Sequence, residues 1–409
     1  MQHILDTLKE RGFLAQITFE EDLYKAMEKE PMTFYLGIDP TAASLHVGHF
    51  IPIIAATHLQ RAGHKPIILC GGGTAMIGDP SGKSDLRKML TKETIASNVA
   101  AIQKQLGRFL DFGEDKARMV NNGDWLLNLN YVDFLREVGA LFSVNRMLTA
   151  ECYKRRLETG LTFLEFNYML MQSYDFLQLF KNYGCRLQIG GDDQWSNMLS
   201  GADLIRRKER EDAFALTCKL IMTHDGKKMG KTEKGALWLD PARTTPYEFY
   251  QYWRNVADQD VERFLGLLTF LPMDEVHRLG ALKDQQINEA KRVLAFEITK
   301  MIHGEEEALK AQDAAQALFA GGGASQNVPA YEVTSAMLAE DNRVTSLLAM
   351  CGLCASRGEA RKMVQAGAVM VGEEKCADIE ARIEESQIGS DGLLLRKGKK
   401  NYCRLILKA

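Results

Sequence analysis

The sequence predicts an α/β protein: an open, doubly wound parallel sheet, then a helical region, then a small C-terminal domain of mixed type. Three observations carry this. Short apolar runs near residues 34–38, 67–70 and 186–190 each stop at glycine, aspartate or proline, as buried strands do. The first two lie about 30 residues apart with a helical pattern between them, the size of one parallel strand–helix–strand unit. Beyond about residue 245 the apolar residues fall at helical spacing instead, until a glycine-rich stretch intervenes.

In order, Phe34, Leu36 and Ile38 alternate with Tyr35 and Gly37 and end at Asp39-Pro40. A helix is expected over about 45–61, closed by Gly63. Ile67-Ile-Leu-Cys70 then feeds Gly71-Gly-Gly73, and Arg186-Leu-Gln-Ile-Gly190 precedes Gly191-Asp-Asp-Gln-Trp195. Ile287, Ala290, Leu294, Ile298 and Met301 share a helical face ended by Gly304. Gly321-Gly-Gly-Ala-Ser-Gln-Asn327 reads as a linker. Ser356-Arg-Gly-Glu359 has the form of a capping box opening a short helix, with Arg357 and Arg361 one turn apart. Ala368-Val-Met-Val371 reads as a strand, and a basic turn follows Leu393-Leu-Leu. The expected divisions are 1–220, 221–320, a linker at 321–342, and 343–409.

Composition narrows the class. A hydrophobic share of 46% and a charged share of 26% suit a globular protein, and no apolar run is long enough to span a membrane. The N-terminus mixes acids with bases and reads as a first amphipathic helix, so a cytoplasmic location is expected. Eight dispersed cysteines fit reduced thiols better than a disulfide framework; Cys351-Gly-Leu-Cys354 lacks a second ligand pair for zinc, and no tightly bound metal is expected. Net charge is −3, yet residues 343–409 hold 12 Lys and Arg against 8 Asp and Glu, a balance of +4 that leaves −7 for the other 342 residues. A polyanion is expected to dock at the C-terminal end.

Two short segments suggest chemistry on a nucleotide. His46-Val47-Gly48-His49 follows a strand and opens a helix, where backbone N–H groups and the helix dipole favour an anion, and Gly48 permits close approach. Lys228-Met229-Gly230-Lys231-Thr232 presents ammonium groups suited to a leaving pyrophosphate. Alone, the second segment would read as a solvated basic loop.

Together, in this order, the two segments resemble the H-I-G-H and K-M-S-K-S signatures of class I aminoacyl-tRNA synthetases, with Val for Ile and with Gly and Thr for the two Ser. Tyr35-Leu-Gly-Ile-Asp39-Pro-Thr41, Ile77-Gly-Asp79-Pro-Ser-Gly-Lys83, Tyr168-Met-Leu-Met-Gln172-Ser-Tyr-Asp175, Gln188-Ile-Gly-Gly191-Asp-Asp193-Gln194-Trp195 and Arg396-Lys-Gly-Lys-Lys-Asn-Tyr402 narrow the resemblance to tyrosyl-tRNA synthetases of the bacterial type, over nearly the whole chain. The resemblance implies a Rossmann-like catalytic domain, a helical anticodon-side domain and an S4-like RNA-binding domain. It implies formation of tyrosyl-adenylate from tyrosine and ATP with Mg2+, then transfer to the terminal ribose of tRNA, in a homodimer. It places the substrate phenol on Tyr35 and Asp175 and the α-ammonium on Asp79, Tyr168 and Gln172. Asp39, Gly48, Gly191, Asp193 and Gln194 would position the ribose and the carboxylate end. Thr41, His46 and His49 would meet the phosphates, and Lys83, Arg87, Lys228, Lys231 and Thr232 the pyrophosphate. Arg357, Arg361, Arg396, Lys397, Lys399 and Lys400 are the implied tRNA contacts.

The sequence departs from that family's common pattern at Asp192 (commonly Ser), Ser196 (Gly), Asn167 (Ser) and Gly123 (Tyr). Asp192 adds a carboxylate next to the expected ribose site. Three other readings compete: a tryptophanyl-tRNA synthetase, a small-metabolite nucleotidyltransferase, and a non-enzymatic RNA-binding protein on a synthetase fold. The Tyr35/Asp175 pair and the basic C-terminal segment speak against the first, residues 245–409 against the second, and intact His46, His49, Lys228 and Lys231 against the third.

Overall fold

A computed structural model describes residues 2–79, 91–226, 229–232, 235–319, 329–389, 392–398 and 401–408. Thirteen strands are found among them: β1 Leu14–Ile17, β2 Thr33–Ile38, β3 Lys65–Cys70, β4 Arg118–Asn121, β5 Leu187–Gly191, β6 Phe214–Cys218, β7 Lys231–Thr232, β8 Gly235–Ala236, β9 Ala330–Thr334, β10 Val369–Val371, β11 Glu374–Cys376, β12 Leu393–Lys397 and β13 Asn401–Lys408. The chain forms two compact units, residues 1–231 with 236–240 and 257–290, and residues 232–235 with 241–256 and 291–409.

The first unit holds a six-stranded sheet in the order β1-β6-β5-β2-β3-β4, parallel throughout except for β1, which pairs antiparallel with β6 at the edge. The doubly wound sheet is therefore as expected, with one antiparallel strand added. That strand, only four residues long and with no buried residue, carries no alternation to mark it. On β2 both faces are covered: Phe34, Leu36 and Ile38 on one side and Tyr35 on the other are all buried, as befits a parallel sheet with helices on each face. The helix Phe50–Arg61 is apolar nearly all round and packs on β2, β3, β5 and β6 and on the helix Val261–Leu268. It ends where Gly63 takes φ +95°, a backbone state that glycine adopts cheaply. Because β2–β3–β4 and β5–β6 run outward in opposite directions, the order reverses between β2 and β5. A crevice opens there at the carboxyl ends of the strands.

In the second unit the helix Pro246–Arg254, capped by Thr245 and Glu248, packs on the helix Glu305–Phe319. The C-terminal sheet runs β11-β10-β12-β13-β9. Its core joins Val333, Leu347, Leu348, Val364, Val369, Leu395 and Leu405. The linker expected over 321–342 is shorter than the sequence suggested: β9 joins the sheet parallel to β13, and Val333 is fully buried. Strand β9 was hidden because its remaining residues are polar or exposed, as an edge strand's are.

Candidate active site

The crevice between β2 and β5 is a cavity of about 560 Å³ in the first unit. It is lined by Tyr35, Asp39, Thr41, His46, Gly48, His49, Asp79, Tyr168, Gln172, Asp175, Gly191, Asp193 and Gln194, thirteen of the residues singled out in the sequence. Lys83, Arg87 and Lys228 lie outside the described residues, and Lys231 and Thr232 are described only as the backbone of β7.

One end of the cavity brings together a buried carboxylate and a buried hydroxyl, Asp175 and Tyr35. Asp175, in the middle of the helix Tyr168–Tyr183, is 2% exposed. Its two oxygens accept from Trp125 Nε1 at 2.7 Å and Asn122 Nδ2 at 2.8 Å. Burial pushes its carboxyl up to about 7, with those two donors pulling it back down. The Tyr35 hydroxyl is also buried and meets no hydrogen-bond partner among the described residues; burial first, then the nearby Asp175, raises its pKa. A buried hydroxyl without a partner is costly, and a ligand able to accept from it would remove that cost.

Further along, acceptors converge. The Tyr168 hydroxyl donates to Asp39 Oδ2 at 3.1 Å, which aims its own lone pairs away from Asp39. Asp79 accepts from Gln194 Nε2 at 2.7 Å. Gln172 Oε1 is buried and has no partner among the described residues. A carboxylate, a hydroxyl oxygen and an amide oxygen beside one cavity suit an ammonium group.

At the mouth, His46 and His49 stack with ring centroids 4.1 Å apart. The Gly48 N–H donates to His46 Nδ1 at 3.0 Å, and the His46 N–H to His49 Nδ1 at 3.3 Å. Burial lowers both imidazole pKa values, that of His49 to about 3, so both rings are neutral and carry their proton on Nε2. This corrects the expectation that backbone N–H groups of the turn await an anion. Val47 N–H donates to Leu237 and His49 N–H to His46, so the four N–H groups are spent internally and the turn offers imidazole Nε2–H donors instead. Gly48 is required for a reason besides ligand approach: a Cβ there would sit 2.7 Å from the His46 ring.

Asp192 does not line the cavity. Its Oδ1 accepts from Gln16 at 2.7 Å and Thr217 at 2.8 Å, which ties β5 to β1 and β6 and turns the extra carboxylate away from the ligand site. Among the described residues no group of His, Cys, Asp or Glu could hold a metal ion.

Residues 27–320 match the family model for class I tRNA synthetases (W and Y), and residues 322–405 that for the Tyrosine--tRNA ligase SYY-like C-terminal domain. The sequence is 57% identical over 405 residues to the tyrosine--tRNA ligase of Caldanaerobacter subterraneus subsp. tengcongensis, covering 99% of each chain. To that of Clostridium perfringens it is 58% identical over 407 residues, covering 100% of each. The chain belongs to the tyrosine--tRNA ligase family. As a tyrosine--tRNA ligase it is an ATP-dependent enzyme that joins tyrosine to tRNA, so its partners are tyrosine, ATP and tRNA. A C-terminally truncated mitochondrial tyrosyl-tRNA synthetase from Aspergillus nidulans shares the fold with TM-score 0.69 and 28% identity, over 78% of this chain and 95% of that one.

Within this ligase the sequence reading missed the residues that support the site. Asn122 Nδ2 lies 3.0 Å from Thr74 Oγ1, and Thr74 donates to Asp39 Oδ1 at 2.8 Å. A continuous polar chain therefore runs Tyr168–Asp39–Thr74–Asn122–Asp175–Trp125. Thr74 and Asn122 follow the carboxyl ends of β3 and β4, a position that marks ligand-side residues once strand order is known.

Of the residues implied for tRNA, Arg361 is exposed, and Arg357 is exposed and pairs with Asp341 at 3.2 Å. Arg396 and Lys397 lie on β12. The Lys397 ammonium is held by Glu359 at 2.7 Å, fastening the helix Arg357–Gln365 to the sheet, so it is less available than the sequence implied. Glu359 also accepts from the Ala355 N–H, completing the cap one residue earlier than expected. Lys399 and Lys400 lie outside the described residues.

Proposed function

We propose that the cavity between β2 and β5 forms tyrosyl-adenylate, with the phenol hydroxyl of tyrosine held between Tyr35 and Asp175. The observation that carries this is the Tyr35 hydroxyl, which has no partner among the described residues and lines the same cavity as the buried Asp175. A phenol can donate to the carboxylate and accept from Tyr35 at once; an indole can only donate and would leave Tyr35 unsatisfied. That difference favours tyrosine over tryptophan.

Asp79, Tyr168 and Gln172 take the α-ammonium, and Asp39, Gly191, Asp193 and Gln194 the ribose and carboxylate end. The tyrosine carboxylate attacks the α-phosphorus of ATP and pyrophosphate leaves; Mg2+ enters with the ATP phosphates. Thr41 and the Nε2–H groups of His46 and His49 donate to phosphate oxygens as charge shifts onto them. Lys83, Arg87, Lys228, Lys231 and Thr232 neutralise the pyrophosphate. No side-chain nucleophile is needed, because positioning and charge stabilisation supply the rate. A tRNA ribose hydroxyl then takes the acyl group, the polynucleotide resting on the C-terminal domain through Arg357, Arg361, Arg396 and Lys397, with Lys399 and Lys400.

The enzyme works as a homodimer in the cytoplasm. Tyr131, Val132, Val144 and Phe163 are each more than half exposed, on helices packed around a common cluster, an apolar surface suited to a second copy. Tyrosine-dependent exchange of pyrophosphate into ATP tests the central reading. Y35F should lower kcat/KM for tyrosine by roughly two- to tenfold, the worth of one hydrogen bond, and leave phenylalanine unaffected. Equal losses for both amino acids would place the phenol elsewhere.

A further inference from the structure

Asp260 belongs to the short turn Asp258–Asp260 that leads into the helix Val261–Leu268, and it is 2% exposed. A carboxylate so placed needs partners. It does not cap its own helix, since no first-turn N–H donates to it. Its partners are His224, on the segment leaving β6, and Arg263, one turn along its own helix. The His224 N–H donates to Oδ2 at 3.1 Å, and His224 Nδ1 lies 3.1 Å from the same oxygen. Arg263 donates to Oδ1 at 2.6 Å and, from the same nitrogen, to the Met222 carbonyl. Residues 222–224 are thus gripped by one helix end, directly after Lys219, Leu220 and Ile221 line the cavity.

The segment has a second foothold. Met229 N–H donates to the Ile221 carbonyl at 3.0 Å, and Leu237 N–H to the Gly230 carbonyl at 2.7 Å. Gly230 takes φ +80° so close to the histidine turn that a Cβ would lie 3.0 Å from that of Val47. Residues 222–224 are therefore held on Asp260 and Arg263, while Met229 and Gly230, directly before Lys231, are held against Ile221 and the turn that carries His46.

We propose that Asp260 is a positioning residue for tyrosine activation: by clamping residues 222–224 it sets where the segment carrying Lys231 enters the mouth of the cavity. This rests on the reading of Lys231 as a pyrophosphate ligand. An ammonium displaced by an ångström from a developing charge loses much of its effect, so loosening the clamp should act on the activation step and not on tyrosine binding.

The test uses the full-length enzyme and its D260A, H224A and K231A variants, alone and combined. Single-turnover adenylate formation and equilibrium tyrosine binding are measured for each. D260A should slow adenylate formation on the order of tenfold, H224A less, with tyrosine Kd unchanged. In the K231A background either substitution should add less than about twofold, since the lysine it positions is gone. His224 is 43% exposed, so H224A keeps the comparison open should D260A fail to fold. Full multiplicative losses in the K231A background, equal weakening of tyrosine binding, or wild-type rates in D260A and H224A would each overturn the proposal. A wild-type rate in K231A alone would overturn the underlying reading of Lys231 as well, and is scored separately.

Discussion

Asn122 donates to one oxygen of Asp175 at 2.8 Å while its own Oδ1 accepts the Gly73 N–H at 2.8 Å. One amide thus locks the glycine turn after β3 to the acid in the middle of the helix Tyr168–Tyr183. Because this donor stabilises the carboxylate, removing it raises the Asp175 carboxyl further.

N122A should therefore lower kcat/KM for tyrosine on the order of tenfold, the worth of a hydrogen bond to a charged group. Phenylalanine, which makes no call on Asp175, should lose less. Pyrophosphate exchange with each amino acid measures both.

Stability of the unliganded protein should carry the signature of Asp175. Its carboxyl is raised from 3.8 to about 7 in the folded state. A raised value means that the folded protein binds the proton more tightly than the unfolded chain. The contribution is full below about pH 4 and is lost as pH rises to about 7. Relative to D175N, the wild type should lose on the order of 4 kcal/mol between pH 4 and pH 8, read from urea midpoints. The comparison with D175N isolates this group from His46 and His49, whose lowered values act with the opposite sign over part of that range.

In the proposed mechanism His46 and His49 act as neutral donors. H46A should slow adenylate formation on the order of 10²-fold and leave tyrosine binding intact. At saturating tyrosine and ATP, the wild-type single-turnover rate should not fall between pH 6.5 and 8.5. A decline as pH rises from 6.5 would show a charged imidazolium at work.

Ending the chain after Phe319 removes the whole five-stranded sheet, β9 included. Adenylate formation should persist while tRNA charging is lost, measured by exchange and by aminoacylation on the same preparation. A chain ended at residue 343 would keep β9 but lose β13, its parallel neighbour, and expose Val333.

Legibility in the sequence followed the physics of each part. Strand-end motifs such as Tyr35-Leu-Gly-Ile-Asp39 and Gly190-Gly-Asp-Asp193 announced themselves because buried strands and their stops are local signals. The thirteen cavity residues followed from the family resemblance, carried by these motifs together with His46-Val-Gly-His49, Asp79 and the helical run from Tyr168 to Asp175. Asn122 and Thr74 stayed hidden, since their role depends on β3 and β4 standing beside β2, a tertiary fact. Asp192, alarming beside a polyanion when read along the chain, proves to be spent on Gln16 and Thr217. The histidine turn misled more subtly: the pattern located the site, but only the geometry revealed that the turn's N–H groups are consumed by its own imidazoles, by the His46 carbonyl and by the Leu237 carbonyl. Asp260 lies 36 residues beyond His224, and no short pattern links the two.

The most direct measurement compares kcat/KM for tyrosine with that for phenylalanine, by pyrophosphate exchange, in the wild-type enzyme and D175N. If the phenol sits between Tyr35 and Asp175, the tyrosine value falls by at least about tenfold while phenylalanine holds or improves. An undiminished preference for tyrosine in D175N would contradict the account.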